Sequence, residues 1–262
     1  MVQTSGSRYA VDVAMPDFTA LQWILAGLAG FFVGLAKSGF SGIGLVPVLL
    51  FAALFGARDS TGVTLPVLIV GDLLAALTYR QHAQWTYVLR MLPPACVGVA
   101  LGAWAMRYIS DAEFRPLLGW ITLGLAVLQY ARGRRPAWFG AVPDSVWFAW
   151  CMGLLAGTTT MLANAAGPVL VLYALAVGLP KLALVGTIGW FFFLINLFKV
   201  PFSIALGLLH GPTVVFTAAL APSVALGLAA GRWLVHRIPQ QAFNAVLLGF
   251  TVLAALRLIG VF

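Results

Sequence analysis

Gly34-Leu-Ala-Lys37-Ser38-Gly39-Phe40-Ser41-Gly42-Ile-Gly44-Leu-Val-Pro47 interrupts an apolar run that starts near residue 19 and resumes as far as residue 56. A related interruption, Gly157-Thr158-Thr159-Thr160-Met-Leu-Ala-Asn164-Ala-Ala-Gly167-Pro168, opens the second half of the chain. Glycine lets the backbone leave helical geometry, and the N–H groups this frees must find protein, water or ligand. Each stretch therefore predicts a broken helix pair rather than one continuous helix.

The sequence around these breaks is that of a membrane protein. Of 262 residues, 62% are apolar and 8% charged, against about 25% charged in soluble domains. Too little polar surface remains to cover a water-soluble globule. Apolar runs occur at about 19–36, 43–56, 61–79, 87–109 and 113–130, and after Arg132-Gly-Arg134-Arg135-Pro136 at about 145–163, 166–179, 182–209, 212–235 and 241–260. A span needs about 20 apolar residues, so close-packed helices with short loops use up the chain. A soluble enzyme and a receptor ectodomain are excluded. The reading is an all-α integral membrane protein with a polar tail at 1–17, a first membrane repeat at 18–130, a basic cytoplasmic linker at 131–144 and a second repeat at 145–262.

Residue matches support a duplication. Gly98, Gly102, Trp104, Ile109 and Phe114 recur as Gly227, Gly231, Trp233, Ile238 and Phe243, all at an offset of 129. Earlier parts align at 123, Gly44 with Gly167 and Thr64 with Thr187. Runs 43–56 and 166–179 have 14 residues each, about 21 Å at 1.5 Å per residue, short of a bilayer core of about 30 Å. They are tilted spans or arms of a hairpin that enters and leaves by one face. Either way each half crosses an odd number of times, which makes the repeats inverted.

Fusing the first two segments of each half into one span would instead make the count even, with six cations on each side and no orientation signal; loop charge favours the odd count. With five segments per half, one side holds Lys37, Arg80, Arg90, Arg132, Arg134, Arg135, Lys181, Arg232 and Arg237, and the other only Arg8, Arg58, Arg107 and Arg115. Cations favour the cytoplasm, so the linker is expected inside and both termini outside. The balance of 15 Lys and Arg against 7 Asp and Glu is spread through short gaps, which suits topology and anion handling rather than nucleic acid.

Two facing tips would make an anion site: helix N-termini opening at about Ser41 and Asn164 direct positive dipole ends and free N–H groups inward. Ser38, Ser41, Thr158, Thr159 and Asn164 supply polar side chains, and Gly39, Gly42, Gly44 and Gly167 supply access. Ionisable residues inside the membrane are functional candidates by default. Asp72 lies in the third run, and Lys199 in the eighth, near Asn196, which stands 124 residues after Asp72. Lys37 and Lys199 suit an anionic substrate, and Asp72 suits a coupling proton; equally, Asp72 and Lys199 suit a structural ion pair, and Lys37 a topology charge. Tyr79, Arg80, His82 and Trp85 read as interfacial anchors. No metal-ligand spacing, nucleotide-binding loop or nucleophile elbow is visible, so no cofactor, metal or catalytic residue is expected.

Lys37-Ser-Gly-Phe-Ser-Gly-Ile-Gly-Leu-Val-Pro47, the following Gly56-Ala-Arg-Asp-Ser-Thr-Gly-Val-Thr64, Tyr79 and Asn164-Ala-Ala-Gly-Pro168 resemble the TauE/SafE sulfite exporter family over nearly the whole chain. The resemblance carries a binding role onto Gly39, Gly42, Gly44, Pro47, Gly167 and Pro168, although Phe40, Ser41, Asn164, Ala165 and Ala166 depart from the family's Gly-rich pattern. It implies movement of a small sulfur-containing anion, such as sulfite, thiosulfate, sulfoacetate or another organosulfonate, across a prokaryotic inner membrane. Composition and spacing alone reach a membrane transporter favouring anions. The expectation is a secondary transporter working by alternating access, with the bilayer, a small anion and protons as partners. An anion channel and a non-transport membrane subunit are the alternatives.

Overall fold

A computed structural model describes residues 18–55, 57–106, 145–164, 166–209 and 212–261, with isolated positions between 108 and 130. The expected tail at 1–17, the 131–144 linker and most of run 113–130 lie outside the described residues. Among the described residues the regular structure is helical: α1 (Ala20–Lys37), α2 (Leu45–Phe55), α3 (Ala57–Thr78), α4 (Trp85–Ala105), α5 (Val146–Ala163), α6 (Gly167–Ala176), α7 (Lys181–Ala205), α8 (Pro212–Arg237) and α9 (Gln240–Ile259).

Local chemistry sets the ends of the first helix in each half. α1 begins with a reciprocal cap, in which Gln22 N–H donates to the Thr19 hydroxyl and Thr19 N–H donates to Gln22 Oε1; two otherwise orphaned donors are thereby satisfied. It stops before Gly39, whose φ of 123° is open to glycine and costly for other residues. α5 stops at Asn164, which adopts φ 51° in the left-handed region, a common helix ending.

These endings correct the expected N-termini at Ser41 and Asn164. A 3-10 turn occupies Ser41–Gly44, and α2 starts only at Leu45. Asn164 closes α5, and α6 starts at Gly167, with proline in its first turn. What reaches each tip first is a helix C-terminus, an end of negative dipole.

Each first pair folds back on itself. The Phe55 ring at the end of α2 lies 5.5 Å from Phe18 at the start of α1, and Tyr173 in α6 lies 5.5 Å from Phe148 in α5. Both pairs are hairpins, with their breaks at the far end.

The two halves then pack reciprocally. α1 lies along α8, and α4 lies along α5. A side chain added at Gly227 would strike the Phe31 carbonyl, and one at Gly98 the Leu154 carbonyl. One added at Gly34 would strike the Val224 carbonyl, and one at Gly157 that of Ala95. These contacts map onto one another at the two offsets read from the sequence, 129 for the fourth helices and 123 for the first. α3 and α7 cross antiparallel: Gly62 meets Leu208, Asp72 meets Asn196, and Gly186 meets the Tyr79 carbonyl.

Among the described residues, five helices are long and apolar enough to span a bilayer: Ala20–Lys37, Ser60–Thr78, Trp85–Ala105, Lys181–Ala205 and Val215–Arg237. Leu21, Trp104, Trp147, Leu226 and Trp233 stand between 60% and 80% exposed, which suits lipid contact rather than water. The chain is a multi-pass membrane protein.

Candidate functional site

The ionisable residues inside the bundle converge at the α3–α7 crossing. Asp72 is fully buried, and Lys199 and Asn196 are almost so. The C-terminus of α1 brings Lys37 against α3, where its ammonium lies 2.6 Å from Asp72 Oδ1. It also lies 4.1 Å from the centre of the Phe192 ring on α7, a face that attracts cations. Asn196 Nδ2 donates to the other carboxylate oxygen, Asp72 Oδ2, at 2.7 Å.

Lys199 is held from the other half. Its ammonium donates to the Thr160 carbonyl at 2.8 Å and to Asn164 Oδ1 at 2.6 Å. Thr160 Oγ1 at 3.3 Å and Asn196 Oδ1 at 3.4 Å complete an acceptor shell. Asn196 thus faces a carboxylate with its N–H2 and an ammonium with its oxygen, and the opposite amide orientation would clash with both. A continuous chain runs Lys37–Asp72–Asn196–Lys199–Asn164, linking the tip of one hairpin to the tip of the other.

Both lysines sit where helix ends favour cations. Lys37 occupies the last turn of α1, and Lys199 donates to the Thr160 carbonyl in the last turn of α5; each gains from the negative dipole end. Burying two ammoniums and one carboxylate is costly unless they are paired or hydrogen-bonded: Lys37 and Asp72 pair with each other, Asn196 donates to Asp72, and Lys199 is held by neutral acceptors alone.

Several expectations are corrected by these partners. The ion pair of Asp72 is with Lys37, and Lys199 reaches Asp72 only through Asn196. Lys37 has a side chain just 10% exposed, so it is an interior charge and not a loop topology charge. Ser38 is buried, and its hydroxyl donates to the Leu35 carbonyl at 2.6 Å. Thr158 donates to Leu154 O at 2.9 Å and Thr159 to Ala156 O at 3.0 Å. Hydroxyls are natural competitors for nearby helix carbonyls, and all three donate there.

Asn164 joins the cluster, but as an acceptor from Lys199. A Cβ added at Gly44 would make an ordinary contact with Ala36 Cβ, 3.8 Å away. Gly39 packs against Val185 and Phe243. Gly167 opens α6, and Ser41 and Gly42 lie in the 3-10 turn, with the Ser41 side chain outside the described residues.

Thr160 and Phe192 were missed by sequence reasoning. Thr160 had a usable sign, because the 123-residue offset maps it onto Lys37. Phe192 had none, being one aromatic among many.

Just past the end of α3, Tyr79 is buried within the bundle. Trp85 is 44% exposed, and its ring lies tilted, 5.1 Å from that of Trp190. Lys181, counted above among loop charges, donates to the carbonyls of Val235 at 3.0 Å and Ile238 at 2.6 Å, closing the C-terminal end of α8. A small apolar pocket lined by Tyr87, Met91, Leu170, Tyr173 and Phe191 has no charged wall.

Against known proteins, the family model for the sulfite exporter TauE/SafE matches residues 24–258. No curated protein and no solved structure matches the chain. The match takes in nearly all of the sequence, and the chain belongs to the TauE/SafE family.

Proposed function

We propose that this TauE/SafE family member is a secondary transporter that moves a small sulfur-containing anion, sulfite or an organosulfonate, across the inner membrane by alternating access. The observation that carries the reading is the buried chain of Lys37, Asp72, Asn196 and Lys199, which joins the two hairpin tips through side chains from both halves. Two ammoniums held beside one carboxylate give a buried locus that favours anions, and such groups inside a membrane mark substrate or proton paths.

The antiparallel crossing of the equivalent helices α3 and α7 supports inverted repeats. So does the reciprocal packing of α1 on α8 and α5 on α4. Matching residues that touch, as Asp72 and Asn196 do, lie at the pseudo-two-fold, which for inverted repeats falls near mid-depth. The folded-back hairpins suit re-entrant pairs followed by three spans in each half. On this reading Lys37 and Lys199 bind the anion, Asn196 and Asn164 position the lysines, and Asp72 carries the coupling proton.

A carrier fits better than a channel because a described chain of buried, mutually bonded charges must rearrange to let an anion pass. The test is counterflow in proteoliposomes: saturable exchange of labelled sulfite or sulfoacetate supports a carrier, and unsaturating current supports a channel.

A further inference from the structure

We infer that the Asp72 carboxylate is a tethered anion that holds Lys37 in the empty protein, and that a dianionic substrate gains Lys37 only as Asp72 takes up one proton. This rests on the sulfur-anion reading above and adds a charge rule to it.

The geometry carries the inference. Both carboxylate oxygens of Asp72 are engaged, Oδ1 by Lys37 at 2.6 Å and Oδ2 by Asn196 at 2.7 Å. Lys199, by contrast, touches only neutral acceptors on Thr160, Asn164 and Asn196. Two ammoniums therefore share one carboxylate, and the ionised cluster carries one net positive charge.

Among the described residues, the charges acting on Asp72 are Lys37 from α1 and Lys199 from α7. α8 meets this part of α3 through Val224, beside Gly71; its Arg232, His236 and Arg237 lie towards its far end. α2 carries no ionisable residue, and the end of α5 contributes only the uncharged Thr160 and Asn164.

A monoanion neutralises this cluster unaided. A dianion leaves it one negative charge in excess, with two anions at one ammonium in a poorly screened interior. Protonating Asp72 removes that excess. The proton comes from bulk water on the side where the anion enters, forms the Asp72 O–H bond, and returns to water when the anion leaves and Lys37 recovers its carboxylate. One dianion thus travels with one proton, while a monoanion needs none.

The test uses detergent-purified full chain and calorimetry in buffers of different ionisation heat. Sulfoacetate serves as the dianion, since its carboxyl and sulfonate are both ionised from about pH 6 upward, and methanesulfonate serves as the monoanion. The expected result is uptake of one proton with sulfoacetate, with affinity rising up to about tenfold for each pH unit lowered, and no uptake with methanesulfonate. D72N should bind sulfoacetate at least about tenfold tighter than the native protein at pH near 8, with no proton uptake, once a like charge has gone from the site.

Sulfoacetate binding to the native protein without proton uptake overturns the inference, as does folded D72N with unchanged or weaker affinity. If D72N does not fold, the native proton count decides alone. Failure of the native protein to bind or exchange sulfite and sulfonates overturns the sulfur-anion reading itself, which is a different outcome.

Discussion

Asp72 on α3 and Asn196 on α7, 124 residues apart in the sequence, bond directly to each other where the two helices cross, Nδ2 to Oδ2, at 2.7 Å. An acid on one helix faces an amide on the other, which makes the buried contact attractive.

Asn196→Asp restores chemical symmetry and should destabilise the bundle. Two carboxylates in one buried site cannot both ionise cheaply, so the melting temperature in detergent should fall, and fall further as pH rises from about 5 to about 8. Thermal unfolding at the two pH values checks this. A variant that melts like the native protein at both would place Asp72 and Asn196 apart.

The second prediction concerns which lysine depends on Asp72. Lys37→Met strands a buried carboxylate, a change that typically costs about 3–5 kcal/mol. Asp72→Asn should recover much of that loss in the double variant. Lys199→Met instead strands neutral acceptors at about 1–3 kcal/mol each, and Asp72→Asn should not rescue it. Unfolding of the singles and doubles decides the pairing, and rescue of Lys199→Met alone would reassign the ion pair.

Glycines at the helix crossings and at the tip should separate by assay. Gly98→Val and Gly227→Val drive atoms into the Leu154 and Phe31 carbonyls, so they should lower stability by more than about 2 kcal/mol through forced helix separation. Gly44→Ala meets only Ala36 Cβ at 3.8 Å and should melt within a few degrees of native. If the tip cradles the anion, Gly44→Ala weakens sulfite binding all the same. Native affinity in this variant would remove Gly44 from the site.

Lys181→Met removes two charge-assisted bonds, to Val235 O and Ile238 O, each worth roughly 1.5–3 kcal/mol. The contact between the start of α7 and the end of α8 should loosen, seen as faster amide exchange at residues 235–238, while substrate affinity in the folded fraction stays native. Unchanged exchange there would mean that water replaces the ammonium without loss.

Much of this architecture is legible in the sequence because bilayer helices announce themselves by apolar runs and end at glycine, proline and charge. The broken pairs, the two offsets and the packing role of Gly98 and Gly227 all follow from such local marks, and the offsets reappear as contacts between carbonyls and glycines. The hairpin was readable only as one of two options, since a run of 14 residues is short whether it tilts or turns back. The partners inside the site were less legible. Lys37 meets Asp72 because α1 crosses α3 with a particular rotation, and no periodicity encodes that. Ser38, Thr158 and Thr159 look like ligand donors in a string of letters, yet nearby helix carbonyls claim their hydroxyls. The offset of 123 did point from Lys37 to Thr160, a correspondence that the tip residues alone conceal.

Topology remains open to direct chemistry. Single cysteines at the two extreme termini should both react with an impermeant thiol reagent added outside, and one at 131–136 should not. Opposite labelling of the termini would contradict inverted, odd-crossing halves, whatever the packing of α3 on α7.

Counterflow of labelled sulfite or sulfoacetate in proteoliposomes tests the central claim most directly, run side by side for the native protein and Lys199→Met. The account predicts saturable exchange by the native protein and its loss in a Lys199→Met variant that still runs as a folded species in detergent. Native-rate exchange by Lys199→Met, or movement of the anion without saturation, would contradict a carrier built on the buried Lys37–Asp72–Asn196–Lys199 chain.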